Sequence, residues 1–194
     1  AITYRTDMLR NNRYCQTEGV SYTDQQWVLF PMVYASTAYY IKERVYLYLV
    51  GREGQTMAGN TSIKNCKHHI KRVLNCLQEY SSTTFSSEVK KQYVHSRLLR
   101  SCRHIYSSYL YKGKAFLDIE DLFRFDQEVS SLSQSFYKEI GTIKVDSFLP
   151  FSYVSYWRKY CKNERSSIIT FLFNCAQTAR NIKNSITFSN NNLW

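Results

Sequence analysis

The chain has 194 residues, enough for one medium-sized domain or two small ones. Hydrophobic residues make up 44% of it, which excludes a wholly disordered chain, and no apolar run approaches the roughly 18 residues of a membrane-spanning helix. The 26 basic and 15 acidic residues give a formal charge of +11, so we expect anionic surroundings: nucleic acid, a membrane face or phosphate-bearing substrates.

The first part of the chain predicts a small α/β piece. Residues 4–11 indicate a short helix. Residues 24–35 indicate an amphipathic helix that Pro31 kinks or breaks, because this proline lies too far along the helix to belong to its first turn. Residues 39–50 are rich in β-branched and aromatic residues and predict an extended strand.

A boundary near residues 52–62, REGQTMAGNTS, separates this piece, residues 1–60, from a helical region at 61–194. Beyond the boundary apolar residues recur at helical spacing in four stripes, which cover residues 63–77, 89–109, 122–140 and 168–186. The predicted fold class is therefore mostly α (α+β), with a small α/β piece followed by an antiparallel helical bundle.

Several residues mark the ends of the predicted helices. Thr61 or Ser62 is placed to cap the first stripe. Asp118 lies at the start of the third stripe, where the acidic sequence DIED stabilises the helix dipole. Gly141 is placed to cap the end of that stripe.

The cysteines and histidines do not predict a metal or nucleophile site. The six cysteines include no C-x-x-C pair, so we expect reduced, buried side chains. Cys66 and His68 fall on different faces of one helix, which indicates a buried cysteine beside exposed histidines. The basic side chains of that helix predict a solvated face, with lipid headgroups and then nucleic acid as alternative partners; they are Lys64, Lys67, His68, His69, Lys71 and Arg72.

Known phosphate-binding and nucleic-acid-binding signatures are missing from the sequence. It contains neither a P-loop nor a G-x-G-x-x-G fingerprint. No helix-turn-helix, RRM or zinc-finger pattern is present, so a nucleic-acid partner is not expected.

Asp24 stands directly before a run of large apolar residues, and taken alone it predicts a helix N-cap. The order of the sequence features around Asp24 supports a second interpretation. The sequence YRTDMLRNNRYCQTEGVSYTDQQW…AYYIKERVYLYLVGREGQTM, from residue 3 to about 57, resembles the C-terminal part of the catalytic domain of family 2 glycosyltransferases, the inverting GT-A enzymes. The resemblance covers under a third of the chain.

The resemblance implies that Asp24 is the general base, which takes the proton of the acceptor hydroxyl as that oxygen attacks the donor sugar. The family usually has Glu-Asp here, whereas this chain has Thr23-Asp24. Trp27 is implied to line the acceptor pocket. The turn near the donor diphosphate is implied to comprise Arg52, Gly54, Gln55 and Thr56.

The resemblance also implies parts that this chain lacks. Family members bind the nucleotide through an N-terminal half and a divalent metal, Mg or Mn, through an Asp-x-Asp pair. We expect both upstream of Ala1, so the isolated chain is expected to be inactive and to hold no cofactor. The implied partners are a nucleotide sugar and a glycan or lipid-linked acceptor, at the cytoplasmic face of a bacterial membrane where surface polysaccharides are built.

The helical region has two further expected roles. Its last stripe carries Phe171 and Leu172 on one side and Arg180 and Lys183 on another, which fits core packing or peripheral contact with an anionic membrane. The alternative function for the whole chain is a non-catalytic basic helical module that binds a protein partner or a membrane surface.

Overall fold

The computed structural model describes residues 2–44, 46, 47, 49, 65–113, 116–162 and 164–191. These residues are mostly helical. Their one β-pairing is an isolated antiparallel bridge between Lys144 and Ser152. The mostly α fold class is therefore confirmed, whereas the described residues contain no sheet from which the predicted α/β piece could be built.

Three short helices form the first part: α1 (Thr6–Asn11), α2 (Asp24–Trp27) and α3 (Phe30–Tyr34). The predicted break in the apolar helix is confirmed, but the position assigned to Pro31 is wrong. Pro31 lies in the first turn of α3. That turn tolerates proline because its backbone N–H groups have no partner within the helix.

The strand predicted at 39–50 is wrong for its described residues, which have no strand assignment. Their side chains are largely exposed, as at Tyr39 and Leu47. A β-rich composition forms a strand only where another strand accepts its backbone hydrogen bonds, and the described part of the chain supplies none.

The remaining helices are α4 (Cys66–Ser82), α5 (Glu88–Ser107), α6 (Ile119–Leu132), α7 (Gln134–Gly141), α8 (Tyr153–Tyr160) and α9 (Ser167–Asn191). A π-helical turn (Ser108–Lys112) continues α5 and ends at Gly113. Helix α4 packs against both α5 and α6, and α7 packs against α6 and α8. The predicted helical bundle is thus present in the described residues.

The third apolar stripe forms two helices rather than one. Ser133 between them is extended, with φ −159°, and its hydroxyl accepts a hydrogen bond from the backbone N–H of Phe136. Asp118 lies at the start of α6, as expected, and its side chain caps the helix by accepting from the Glu120 N–H at 3.1 Å. Gly141 is the last residue of α7 rather than its cap. The predicted caps at residues 61 and 62 lie outside the described residues.

One hydrophobic core joins the first part of the chain to the bundle. Leu29, Phe30 and Val33 are buried in it together with side chains from α4 to α9. Two hydrogen bonds reinforce this contact: the Tyr93 hydroxyl donates to the Val28 carbonyl at 2.9 Å, and Lys90 donates to the Val33 carbonyl at 2.8 Å. This packing places α3 against α5. The predicted boundary near residue 60 stays a prediction.

The six cysteines are free thiols, as expected, but only Cys66, Cys76 and Cys102 are fully buried. Within the ranges that the structure describes, no helix is both long enough and apolar enough to cross a membrane. Phe171 on α9 is exposed, whereas Leu172 and Phe173 are half-buried and pack against the core, so the expected core packing is confirmed in part. Contact of α9 with a membrane surface stays a prediction.

Candidate functional site

The segment that leads into α2 is held in place by one buried glutamine. The Gln26 side chain accepts a hydrogen bond from the Thr17 N–H at 2.9 Å and donates to the Cys15 carbonyl at 3.4 Å. Tyr22 has φ +69°, a left-handed conformation that non-glycine residues seldom adopt. A strained residue of this kind persists where the surrounding contacts fix it, so this segment is built to a defined shape.

Asp24 lies in the first turn of α2 and is exposed. Its predicted role as N-cap is wrong. Asp24 is the first residue of the helix, and Thr23, which precedes it, has a helical backbone, with φ −66°, and forms no side-chain cap. The Asp24 carboxylate forms no ion pair with the residues described by the structure.

Trp27 packs onto the start of the chain. Its indole N–H donates to the Ile2 carbonyl at 3.2 Å, and its ring lies edge-on to Tyr4 and Tyr14 at centroid distances of 5.0 and 5.7 Å. Asp24 and Trp27 thus share a four-residue helix, while Trp27 is engaged in packing. The other predicted site residues, Arg52, Gly54, Gln55 and Thr56, lie outside the described residues.

The basic side of α4 is only in part the solvated face that the sequence predicts, since Lys67 and Lys71 are exposed but His69 and Arg72 are buried. The His68 ring lies 3.2 Å from both the N–H and the hydroxyl of Ser21, and Lys71 donates to the Glu18 carbonyl at 3.1 Å. Lys67 pairs with Asp121 at 3.0 Å. These three side chains therefore link α4 to the first part of the chain or to α6.

His69 and Arg72, also on α4, are buried, with exposures of 4% and 1%. They lie against a cavity of about 390 Å³ between α4, α5 and the segment that leads into α2 and contains Tyr22. The His69 ring stacks on Tyr22 at 4.2 Å and meets His104 edge-on at 5.0 Å. The cavity is lined by Tyr22, Gln25, Leu29, His69, Arg72, Arg97, Arg100, Ser101 and His104.

The cavity owes its positive charge to its arginines rather than to its two histidines. Burial, with the nearby charges of His104, Arg72 and His68, lowers the pKa of His69 to about 3. Burial also lowers the pKa of His104, and the charges of Lys112 and Arg72 add to that effect. Both imidazoles are therefore neutral near pH 7 in the empty cavity, where each ring has one N–H to donate.

Sequence reasoning missed the cavity residues on α5. Arg97, Arg100, Ser101 and His104 are spaced at i, i+3, i+4 and i+7, the spacing of one helix face. The sequence therefore contained a signal, a polar stripe with two arginines, but such stripes are the ordinary solvated side of an amphipathic helix. The burial of His69 and Arg72 on the facing helix could not be read from α4 alone.

The described residues contain no group of metal ligands, and their buried thiols are poor nucleophiles. In the parts of the chain that the structure describes, no three His, Cys, Asp or Glu side chains are grouped as metal ligands. The Mg or Mn implied by the resemblance stays a prediction for the nucleotide-binding half, and no step is assigned to a metal. Burial raises the pKa of the Cys66, Cys76 and Cys102 thiols to about 12, so they are poor nucleophiles near pH 7.

Comparison with known proteins adds no relative: the chain matches no family model, no curated protein and no solved structure. Its function is therefore argued from the chemistry of its own residues.

Proposed function

We propose that this chain supplies the acceptor side of an inverting glycosyltransferase, with Asp24 as the general base. The reaction transfers a sugar from a nucleotide-sugar donor to a hydroxyl of a glycan or lipid-linked acceptor. The observation that carries the proposal is that Asp24 is an exposed carboxylate with no capping bond and no ion pair in the described structure. A carboxylate without a structural partner is available to accept a proton.

In the proposed step, a carboxylate oxygen of Asp24 takes the proton of the acceptor hydroxyl. The acceptor oxygen attacks the anomeric carbon of the donor sugar as the bond from that carbon to the nucleoside diphosphate breaks. The electron pair of that bond leaves with the diphosphate, and the anomeric configuration inverts. The residues that bind the nucleotide belong, in this proposal, to sequence outside this chain.

Two observations favour this proposal over a non-catalytic basic module. In such a module Asp24 would serve only to cap α2, yet no side-chain cap forms there. The segment after α3 would be covered, yet its described residues, such as Tyr40, are exposed. That exposure supports a missing neighbour, although the described residues do not form the strand that the glycosyltransferase resemblance implies.

The test replaces Asp24 by Asn in the protein at its native length. Asn keeps the size of the side chain but cannot accept the proton, so we expect sugar transfer to fall about a hundredfold or more with the fold intact. The measurement is incorporation of radiolabelled sugar, from a panel of nucleotide sugars, into acceptors in membranes of the source cells. Circular dichroism checks the fold.

Glu164→Gln is the matched control, because Glu164 is also exposed and its change removes one negative charge. We expect this variant to transfer sugar at the native rate. Full activity in Asp24→Asn would refute the role of Asp24. No transfer from any nucleotide sugar by the native protein would favour the basic module.

A further inference from the structure

The cavity between α4 and α5 contains a buried guanidinium with too few partners. Arg72 is 1% exposed, and neither its Nε nor its Nη1 has a hydrogen-bond partner in the described structure. The same holds for the buried Nε2 atoms of His69 and His104. A buried charge without a partner costs several kcal/mol, so a folded protein rarely keeps one unless something else binds there.

Arg158, a half-buried arginine of this chain, shows what a structural role requires. Arg158 donates to the Asp126 carboxylate at 2.9 Å, to the Tyr137 carbonyl at 2.7 Å and to the Tyr106 hydroxyl at 3.2 Å. Its guanidinium also stacks on the Tyr137 ring at 3.5 Å. Each guanidinium nitrogen of Arg158 thus has an acceptor and Asp126 neutralises its charge, whereas Arg72 has no such carboxylate partner among the described residues.

The cavity lining has an excess of positive charge. Three arginines line it, Arg72, Arg97 and Arg100, and no carboxylate is among the described lining residues. Asp24 interacts electrostatically with Arg72 but forms no ion pair with it. Arg97 and Arg100 are exposed at the mouth and form no ion pair with the described residues. Such an excess of positive charge favours the binding of an anion.

We infer that this cavity binds the dianionic phosphate group of a small ligand. Arg72 at the buried end has unpartnered N–H donors at Nε and Nη1, which suit charge-assisted hydrogen bonds to phosphate oxygens. The imidazole N–H groups supply further donors, and Arg97 and Arg100 neutralise the anion from the mouth. A volume of about 390 Å³ holds a phosphate and a small part of its carrier, at the low end of ligand-binding pockets.

This site is independent of the role proposed for Asp24, and its occupant is either free phosphate or a phosphate ester. Both present the same dianionic oxygens to Arg72. The phosphate is an occupant here rather than a leaving group, so the inference involves no covalent step.

Thermal unfolding of the full chain tests the inference. The melting temperature is followed with increasing sulfate, inorganic phosphate or glycerol phosphate, with sodium chloride at matched ionic strength as the reference. Because a ligand that binds only the folded state raises the melting temperature, we expect a saturable rise with each dianion and none with chloride. A chloride rise equal to that of phosphate would overturn the inference.

Variants then locate the binding. Arg100→Gln removes an exposed cation at the mouth, so the fold is expected to persist while the anion dissociation constant rises about tenfold. Lys91→Gln is the matched control, because Lys91 is also exposed on α5 but does not line the cavity. Equal anion affinity in these two variants would show binding by net charge alone and would also overturn the inference.

Arg72→Met supplies a second readout that does not depend on the mouth residues. Replacing an unpaired buried charge by an apolar side chain is expected to raise the melting temperature without anions and to abolish its rise with phosphate. A variant that melts lower and still responds to phosphate would refute the role of Arg72. Tighter binding of glycerol phosphate than of inorganic phosphate would identify a phosphate ester as the occupant; the reverse order would identify free phosphate.

Discussion

Glu79 of α4 is a partly buried carboxyl group whose titration affects stability. Burial raises its pKa from the ordinary 4.5 to about 7. Between these values the folded chain binds more protons at this site than the unfolded chain, so the stability that Glu79 contributes is complete below about pH 4.5 and is lost as the pH rises through 7. Because the side chain is only partly buried, we expect the loss to be about 1–2 kcal/mol.

Glu79→Gln is expected to remove this dependence, because the amide does not ionise. The free energy of unfolding, from urea titrations at a series of pH values, should exceed that of the native chain by an amount that grows between about pH 4.5 and 7. Comparing the two proteins cancels the opposite contribution of His69, whose pKa of about 3 makes stability rise with pH. Glu128→Gln, at an exposed site on α6, should show no such growth, and a constant difference for Glu79→Gln would contradict the assignment.

At the scale of elements, the break between α6 and α7 depends on Ser133. Its hydroxyl caps α7, so Ser133→Ala is expected to lower the free energy of unfolding by about 0.5–2 kcal/mol. Ser131→Ala makes the same chemical change within the exposed side of α6, where alanine favours the helix, and should be neutral or slightly stabilising. Denaturant titration of both variants provides the measurement. Equal effects would mean that the break is set by packing rather than by the cap.

The same break shows which parts of the fold the sequence predicts. Apolar spacing located most of the bundle helices, because burying one face of a helix needs that spacing whatever its neighbours are. The apolar spacing predicted α6 and α7 as one helix, because it continues across Ser133, whereas the helical backbone is interrupted there. It also predicted a strand at 39–50, where β propensity was not matched by a partner strand in the described structure.

The candidate site residues were likewise predictable from the sequence only in part. Asp24 was singled out through a resemblance in the order of features, and its exposed carboxylate is consistent with that hypothesis. The predicted N-cap role of Asp24 is wrong because a cap depends on backbone conformation, here that of Thr23, which residue type alone does not determine. The cationic cavity was not predicted, since His69 and Arg72 are buried by segments distant in sequence and resemble a solvated face when α4 is considered alone.

For the whole molecule, the shared core predicts that the first part of the chain and the bundle unfold together. Phe30 of α3 is fully buried against the bundle, so Phe30→Ala is expected to lower the free energy of unfolding by about 3–5 kcal/mol. If the unit is cooperative, this loss reaches α5, where the Cys102 thiol is buried.

Thiol labelling measures that cooperativity directly. In the native chain the exposed Cys15 and Cys175 should react quickly, and the buried Cys66, Cys76 and Cys102 slowly. When closing is faster than labelling, the labelling rate follows the population of the open state, so Phe30→Ala should speed labelling of Cys102 at least about a hundredfold.

Val89→Ala is the control, because Val89 is exposed on the same helix as Cys102 and its loss should leave the slow rate unchanged. If Phe30→Ala instead left the Cys102 rate unchanged, the first part would be opening alone. Residues 1–60 would then behave as a separate unit, as the predicted domain boundary implies. A hundredfold acceleration would instead make the bundle and the segment that carries Asp24 one cooperative structure, so that ligand binding between α4 and α5 would also stabilise the position of Asp24.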